Sequence, residues 1–176
     1  MRRLDDPKRW KDVFDHVIDQ KIAKSKVTCF SKTYSNTLMW SHYADHHKGF
    51  CLEFNGSMEP QAILDRGIAT ILCVNYDDTE LITVNYNEAK DRGVVELFTR
   101  KSPDWRYEEE VRVIIMDDNG LQKFNKQFLT GIIVGCRTPD SDVEKMLKTI
   151  KEGHYSIKVQ RAVKKKFKLD FETISL

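Results

Sequence analysis

The densest run of chemically capable side chains is Trp105-Arg-Tyr-Glu-Glu-Glu-Val-Arg112. Read as a strand, its side chains alternate, so Glu108, Glu110 and Arg112 share one face while Val111, Val113 and Ile115 turn to the core. Two carboxylates on one face repel each other. They are tolerated where a site needs one ionised and one tuned acid, where a cation sits between them, or where Arg112 and a lysine from a neighbouring strand neutralise them as a ladder. The first two arrangements are catalytic, and Glu110 and Glu108 are then the catalytic candidates, with Trp105 and Arg112 beside them as substrate contacts. Ser31 closes a β-rich run, Val27-Thr-Cys-Phe-Ser31, just before a polar turn. Strand ends of this kind present hydroxyls to ligands. Trp40, His42 and Tyr43 follow on a short helical stretch, an aromatic cluster suited to lining a pocket. His42 and His46 are four residues apart, a metal-ligand spacing, but no H-E-x-x-H pattern accompanies them and no metal site is assigned. The alternative is a helix that packs Leu38, Met39 and Tyr43 inward and leaves His46 and His47 in water.

The elements that must position these residues follow from periodicity. Asp6 caps and Pro7 opens a helix whose stripe is Trp10, Val13, Phe14, Val17, Ile18 and Ile22. Strands are predicted at Val27–Ser31, Phe50–Phe54, Ala69–Tyr76, Val111–Met116, Gly131–Gly135, Tyr155–Gln160 and Phe167–Ile174. Leu121–Phe128 is predicted as the hairpin partner of Val111–Met116 across Asp117-Asp-Asn-Gly120. Helices are predicted at Leu38–His46, over one or two turns at Met58–Asp65, at Asn87–Lys101, and from a cap at Ser141 or Asp142 to Glu152, with Val143, Met146, Leu147 and Ile150 inward. The expected architecture is a single α+β domain over residues 1–176, an N-terminal helix over 1–25 and a core over 26–176. Its sheet is mixed or mostly antiparallel, of about seven strands with about four helices.

Composition narrows the class. The chain has 176 residues, 40% hydrophobic and 10% aromatic, with a formal charge of +2. That is globular, not disordered. No apolar run approaches the ~20 residues of a membrane span, and the charged N-terminus carries no signal-peptide core. Cys29, Cys51, Cys73 and Cys136 lie far apart with no C-x-x-C pair, which reads as four reduced thiols acting as small hydrophobes in strands. A cytoplasmic location is expected. The charge is uneven: residues 158–176 hold six Lys and Arg against two acids. Arg161, Lys164, Lys165, Lys166 and Lys168 could meet nucleic acid. The competing reading is an edge strand protected by lysines, and it is the one favoured, because no interleaved aromatic platform is evident. No phosphate-binding P-loop, nucleophile elbow or dinucleotide fingerprint is present.

Taken together, Cys29-Phe-Ser31, Leu38-Met-Trp-Ser-His-Tyr-Ala44, Gly49-Phe-Cys-Leu-Glu-Phe54, Lys101-Ser-x-x-Trp105-x-Tyr-Glu-x-Glu-Val-Arg112 and Gly131-Ile-Ile-Val-Gly135 resemble a bacterial domain family of unknown function over residues 27 to 170. Members of that family are soluble bacterial proteins, some in phage-defence or toxin-like settings. The resemblance implies that an N-terminal section with an aromatic-rich strand and an Asn-Asp-Pro motif is absent here. More distantly, the order of Ser31, a short helix, a strand and Glu108-x-Glu110 is similar to the ADP-ribosyltransferase fold. That likeness implies NAD as substrate, Glu110 stabilising an oxocarbenium-like ribose, Glu108 activating the acceptor, Ser31 orienting Glu110, and Tyr43 or Trp40 stacking on nicotinamide. The fold's first-strand Arg or His has no counterpart.

Three functions therefore stand as expectations. The first is an NAD-using ADP-ribosyltransferase-like enzyme, a toxin or defence effector. The second is a non-catalytic binding or sensing module on the same scaffold. The third is a metal-dependent nuclease using the acidic face and the basic tail. A protein partner or a second copy that supplies a missing edge is left open.

Overall fold

The computed structural model describes residues 16, 19–20, 23–55, 69–78, 98–115, 121 and 123–175. The chain forms two compact units, each drawn from two stretches: residues 1–30 with 66–121, and residues 31–65 with 122–176. Both strands and helices are present, with nine strands among the described residues in three sheets, so the α+β class holds.

In the first unit, β1 (Lys26–Ser31), β6 (Glu110–Ile115) and β3 (Ala69–Cys73) form a sheet with β6 in the centre. The β3–β6 pairing is antiparallel, from Ala69 opposite Ile115 to Cys73 opposite Val111. A central strand is covered on both faces, and β6 accordingly buries Val113, Ile114 and Ile115 in succession. The single strand predicted at Ala69–Tyr76 is broken at Val74. Its side chain turns inward and its N–H donates to the Glu110 carbonyl at 3.0 Å. The chain then leaves β6, and β4 (Asn75–Tyr76) pairs in parallel with β5 (Arg100–Lys101). The helix predicted to run to Lys101 ends earlier: Phe98 and Thr99 are helical, and Arg100–Lys101 is extended. A 3-10 helix, Pro103–Glu108, follows, with the Ser102 hydroxyl accepting from the Asp104 N–H at 3.4 Å.

The second unit is a four-stranded sheet in the order β2 (Phe50–Phe54), β7 (Leu129–Val134), β8 (Lys158–Lys165), β9 (Lys168–Thr173). β2 and β7 are antiparallel, from Phe50 opposite Val134. β7 and β8 are parallel, from Gly131 opposite Lys158 to Val134 opposite Arg161. The crossover between them is the helix Asp140–Glu152 (α2 below). The unbroken apolar run of β7 reflects burial on both faces. Ile132 joins Leu129, Ile150, Ile157 and Val159 on one side, while Ile133 joins Trp40 and Ala44 on the other. The helix delivers Val143 and Ile150, as the i, i+7 spacing requires. Leu121–Phe128 is not the partner of β6, whose neighbours are β3 and β1. Instead Lys126–Phe128 is a 3-10 turn that drops Phe128 into the core.

Helix α1 (Thr37–Tyr43) starts where Asn36 accepts from the Leu38 N–H at 2.9 Å. It ends three residues before its predicted limit. Asp45, His46 and His47 have φ of 44, 51 and 71, three consecutive left-handed residues that cannot extend a right-handed helix. The N-terminal helix is represented by His16, Asp19, Gln20, Ala23 and Lys24, all helical. Its apolar stripe, the Met58–Asp65 turn and residues 87–97 lie outside the described residues. All four cysteines are free; Cys29 and Cys73 are exposed rather than packed as small hydrophobes.

Candidate functional site

The two predicted acids do come together, but not by strand alternation. Glu108 ends the 3-10 helix, Glu109 reverses the chain with φ 45, and Glu110 opens β6. Lys101 on β5 ion-pairs with both, its Nζ lying 3.1 Å from Glu110 Oε2 and closer to Glu108 Oε2. Arg112 clamps Glu110 in a fork, Nε to Oε1 at 2.8 Å and Nη2 to Oε2 at 3.1 Å, and its Nη1 donates to the Phe98 carbonyl at 2.6 Å. Cys29, on β1, lies near enough to the same carboxylate to lower its pKa. The Glu110 N–H donates to the Tyr76 hydroxyl at 2.8 Å. Lys101 also lies over the Trp105 ring at 4.9 Å, and Trp105 packs beside Tyr107.

Glu108 is 3% exposed and Glu110 6%. Burial opposes ionisation of Glu110, but hydrogen bonds from Arg112, Cys29 and Lys101 outweigh it and bring its pKa down to about 2. Burial pulls the Lys101 ammonium down, and its bonds to Glu108 and Glu110 more than restore it. Burial and the bond to Glu110 push the Cys29 thiol up. The cation called for between two acids is therefore the Lys101 ammonium, with Arg112 completing the charge balance. A carboxylate held this far below neutral pH is a poor general base. Among the described residues no three His, Cys, Asp or Glu side chains gather as a metal site.

The remaining predicted residues lie elsewhere. Ser31 is the last residue of β1, and its hydroxyl closes a turn with Thr33, donating to the carbonyl at 2.7 Å and accepting from the N–H at 3.1 Å. Trp40 is 3% exposed in the core of the second unit, its indole N–H donated to the Tyr34 carbonyl at 2.6 Å. His42 and Tyr43 sit at the end of α1, exposed, with their rings 6.3 Å apart. His42 and His46 do not share a helix face, because α1 has ended before His46.

A second constellation lies wholly within the second unit. A cleft of about 800 Å³ is lined by Ser41, His46 and His47 from α1 and the turn after it, by Arg137 from the loop after β7, and by Arg161, Lys164, Lys166, Phe167 and Lys168 from the β8–β9 hairpin. Among the described residues no carboxylate lines it. The left-handed turn is tied to the loop after β7: the Arg137 N–H donates to the His47 carbonyl at 3.0 Å and the Thr138 hydroxyl to the Lys48 carbonyl at 2.8 Å. The approach is so close that any Cβ on Gly135 would overlap the His47 carbonyl, and glycine alone fits there.

Of the five basic residues predicted to act together, two are already engaged. Arg161 donates to Asp140 at 2.8 Å and to the Thr138 carbonyl at 2.6 Å, and Lys165 pairs with Asp170 at 2.6 Å, outside the cleft lining. Lys164, Lys166, Lys168 and Arg137 line the cleft with no ion pair among the described residues. His47 shares a hydrogen bond with Ser41 Oγ at 3.0 Å. Its imidazole is held below its usual pKa by burial first, then by the charges of Arg137, Lys164 and His46. Sequence reasoning passed over Arg137, His47 and Phe167. The position of Arg137, just past the C-terminal end of a buried strand, was the available signal.

Residues 39–113 match the model of a family described as a protein of unknown function (DUF2971), so this stretch is similar to that family. The match spans Trp40, His42, Tyr43, Lys101, Trp105, Glu108, Glu110 and Arg112. No curated protein and no solved structure matches the chain. Among the described residues, no helix is long and apolar enough to cross a membrane.

Proposed function

We propose that the chain is a nucleic-acid-binding module whose contact surface is the basic cleft of the second unit. One observation carries this reading: Lys164, Lys166, Lys168 and Arg137 surround a single concavity with no ion pair among the described residues. Like charges held together repel, and a phosphate backbone relieves that repulsion while releasing its own condensed counterions. The test is binding of a labelled mixed-sequence oligonucleotide followed by fluorescence anisotropy across a salt series. Neutralising about four phosphates predicts a log–log salt slope near −3 for a single strand. The triple variant Lys164→Ala, Lys166→Ala, Lys168→Ala should bring the slope to about −1 and weaken binding at least tenfold at low salt. Binding that is unchanged in the triple variant, or absent in the wild type, removes the reading.

A second reading is ADP-ribosyl transfer from NAD⁺, and the observation that favours it is Glu110, whose pKa is lowered to about 2 so that it is ionised near neutral pH. A fixed anion is what an oxocarbenium-like ribose needs beside it. In this reading Glu108 activates the acceptor, while Ser31, Trp40 and Tyr43 belong to the second unit and take no part. Against it stands the pairing of both acids with Lys101 and Arg112, which leaves little net negative charge to offer a cation. Nicotinamide release at millimolar NAD⁺ that disappears in a folded Glu110→Gln variant supports transfer; no release from the wild type ends it.

A further inference from the structure

We infer that the turn between β8 and β9 carries a stacking site for an unpaired base, with Phe167 as the platform, so that the nucleic acid held by the cleft is single-stranded. The inference rests on the nucleic-acid reading of the same cleft.

Phe167 is 97% exposed. It sits in a two-residue turn, Lys166–Phe167, closed by the Lys165–Lys168 pair. Beyond Arg161, β8 has left its register with β7 and pairs with β9, so the turn ends a two-stranded ribbon. A large aromatic ring at such a tip contributes nothing to a core. Turns of this length favour glycine, asparagine or aspartate at positive φ, yet the residue here is Lys166, at φ 56. His46 and His47, which also line the cleft, are left-handed too, at φ 51 and 71. The lining therefore includes three non-glycine residues in a disfavoured conformation, a pattern that concentrates at ligand clamps.

The ring and the charges belong to one surface. Phe167 lies between Lys166 and Lys168 in sequence, and all three line the cleft with Lys164 and Arg137. Alternation of an aromatic face with cations is how sequence-tolerant single-strand binders work: the ring stacks on a base and the flanking lysines meet the adjacent phosphates. The concavity selects the form of the nucleic acid. A cleft of about 800 Å³ has the size of a small-ligand site. It admits a nucleotide or a threaded strand. A duplex is convex and keeps its base faces covered by their neighbours. An anionic membrane would be met by several apolar side chains, whereas this tip offers one ring among lysines.

The experiment uses the full chain and a single strand containing 2-aminopurine, compared with the same strand in a duplex and with vesicles of equimolar phosphatidylserine and phosphatidylcholine. Because Phe167 is solvent-exposed, Phe167→Ala should fold normally, which a melting curve checks. The wild type should bind the single strand at least tenfold tighter than the duplex and quench 2-aminopurine. Phe167→Ala should lose about ten- to hundredfold in single-strand affinity with duplex affinity and salt slope retained. Phe167→Tyr should restore both affinity and quenching. Equal binding of strand and duplex that ignores Phe167→Ala overturns the stacking site while leaving the charge-based reading intact. Phe167-dependent vesicle binding without a single-strand preference also overturns it. Failure of the wild type to bind any oligonucleotide removes the nucleic-acid reading, and this inference with it.

Discussion

Around Glu110, two carboxylates, an ammonium, a guanidinium and a thiol close on one another, and the charge is consumed inside the first unit. Around Arg137, cations from a loop and a hairpin line a cleft of the second unit that, among the described residues, holds no carboxylate, and their charge is not consumed by ion pairs there. The first region has the stronger motif and the greater burial. The second has neither, yet Lys164, Lys166, Lys168 and Arg137 keep no ion pair among the described residues. What separates them is satisfaction: a group whose hydrogen bonds and counter-charges are already met inside the protein has little left with which to bind something else.

The sharpest way to break this contrast is to remove one member of the closed cluster. Glu110→Ala leaves Arg112 and Lys101 with only Glu108 as counter-charge, and should cost about 3–5 kcal/mol of stability by urea denaturation. Replacing the pair together, Glu110→Leu with Arg112→Met, should recover much of that loss. If Glu110→Ala is neutral, the cluster is not the closed unit described. A second, somewhat smaller effect is in pH. The Glu110 pKa falls from 4.5 to about 2 on folding. A carboxylate with a lowered folded pKa adds stability that is complete above 4.5 and is lost as pH drops toward 2. At about 1.4 kcal/mol per tenfold change in proton affinity, the loss is about 3 kcal/mol, and it should vanish in the paired apolar replacement. The smallest effect sharpens the other side. Lys168→Ala should change stability by no more than about 0.5 kcal/mol, or raise it, since it relieves repulsion without breaking an ion pair. A large destabilisation there would mean that the cleft lysines are structural.

The sequence carried the strands well wherever a strand was covered on both faces. The run at 131–134 could be nothing else, and the stripe at Val143, Met146, Leu147 and Ile150 named the crossover helix. The proximity of Glu108 to Glu110 was legible, but its cause was not. Alternation assumed one strand, whereas a left-handed Glu109 joins a 3-10 helix to a strand, and that conformation has no glycine or asparagine to announce it. The partner Lys101 stood in the recognised motif without an evident role, because its contact depends on β5 pairing in parallel with β4. The strands of the β8–β9 hairpin are legible in part, at Tyr155–Gln160 and Phe167–Ile174, but the position of the turn between them is not. Lys-Lys-Phe-Lys contains no turn former, so the pattern starts a strand at Phe167, whereas the residue is at the exposed tip of the turn.

The interleaving of the two units along the chain has a consequence for synthesis. β2 finds its partner only when β7 has left the ribosome, about 75 residues later. At roughly 5–20 residues per second, Phe50–Phe54 and the α1 segment wait about 4–15 s for β7 and its core to appear. During that interval residues 66–121 emerge and complete the first unit. The nascent chain thus carries an unpaired, apolar strand ahead of a finished unit.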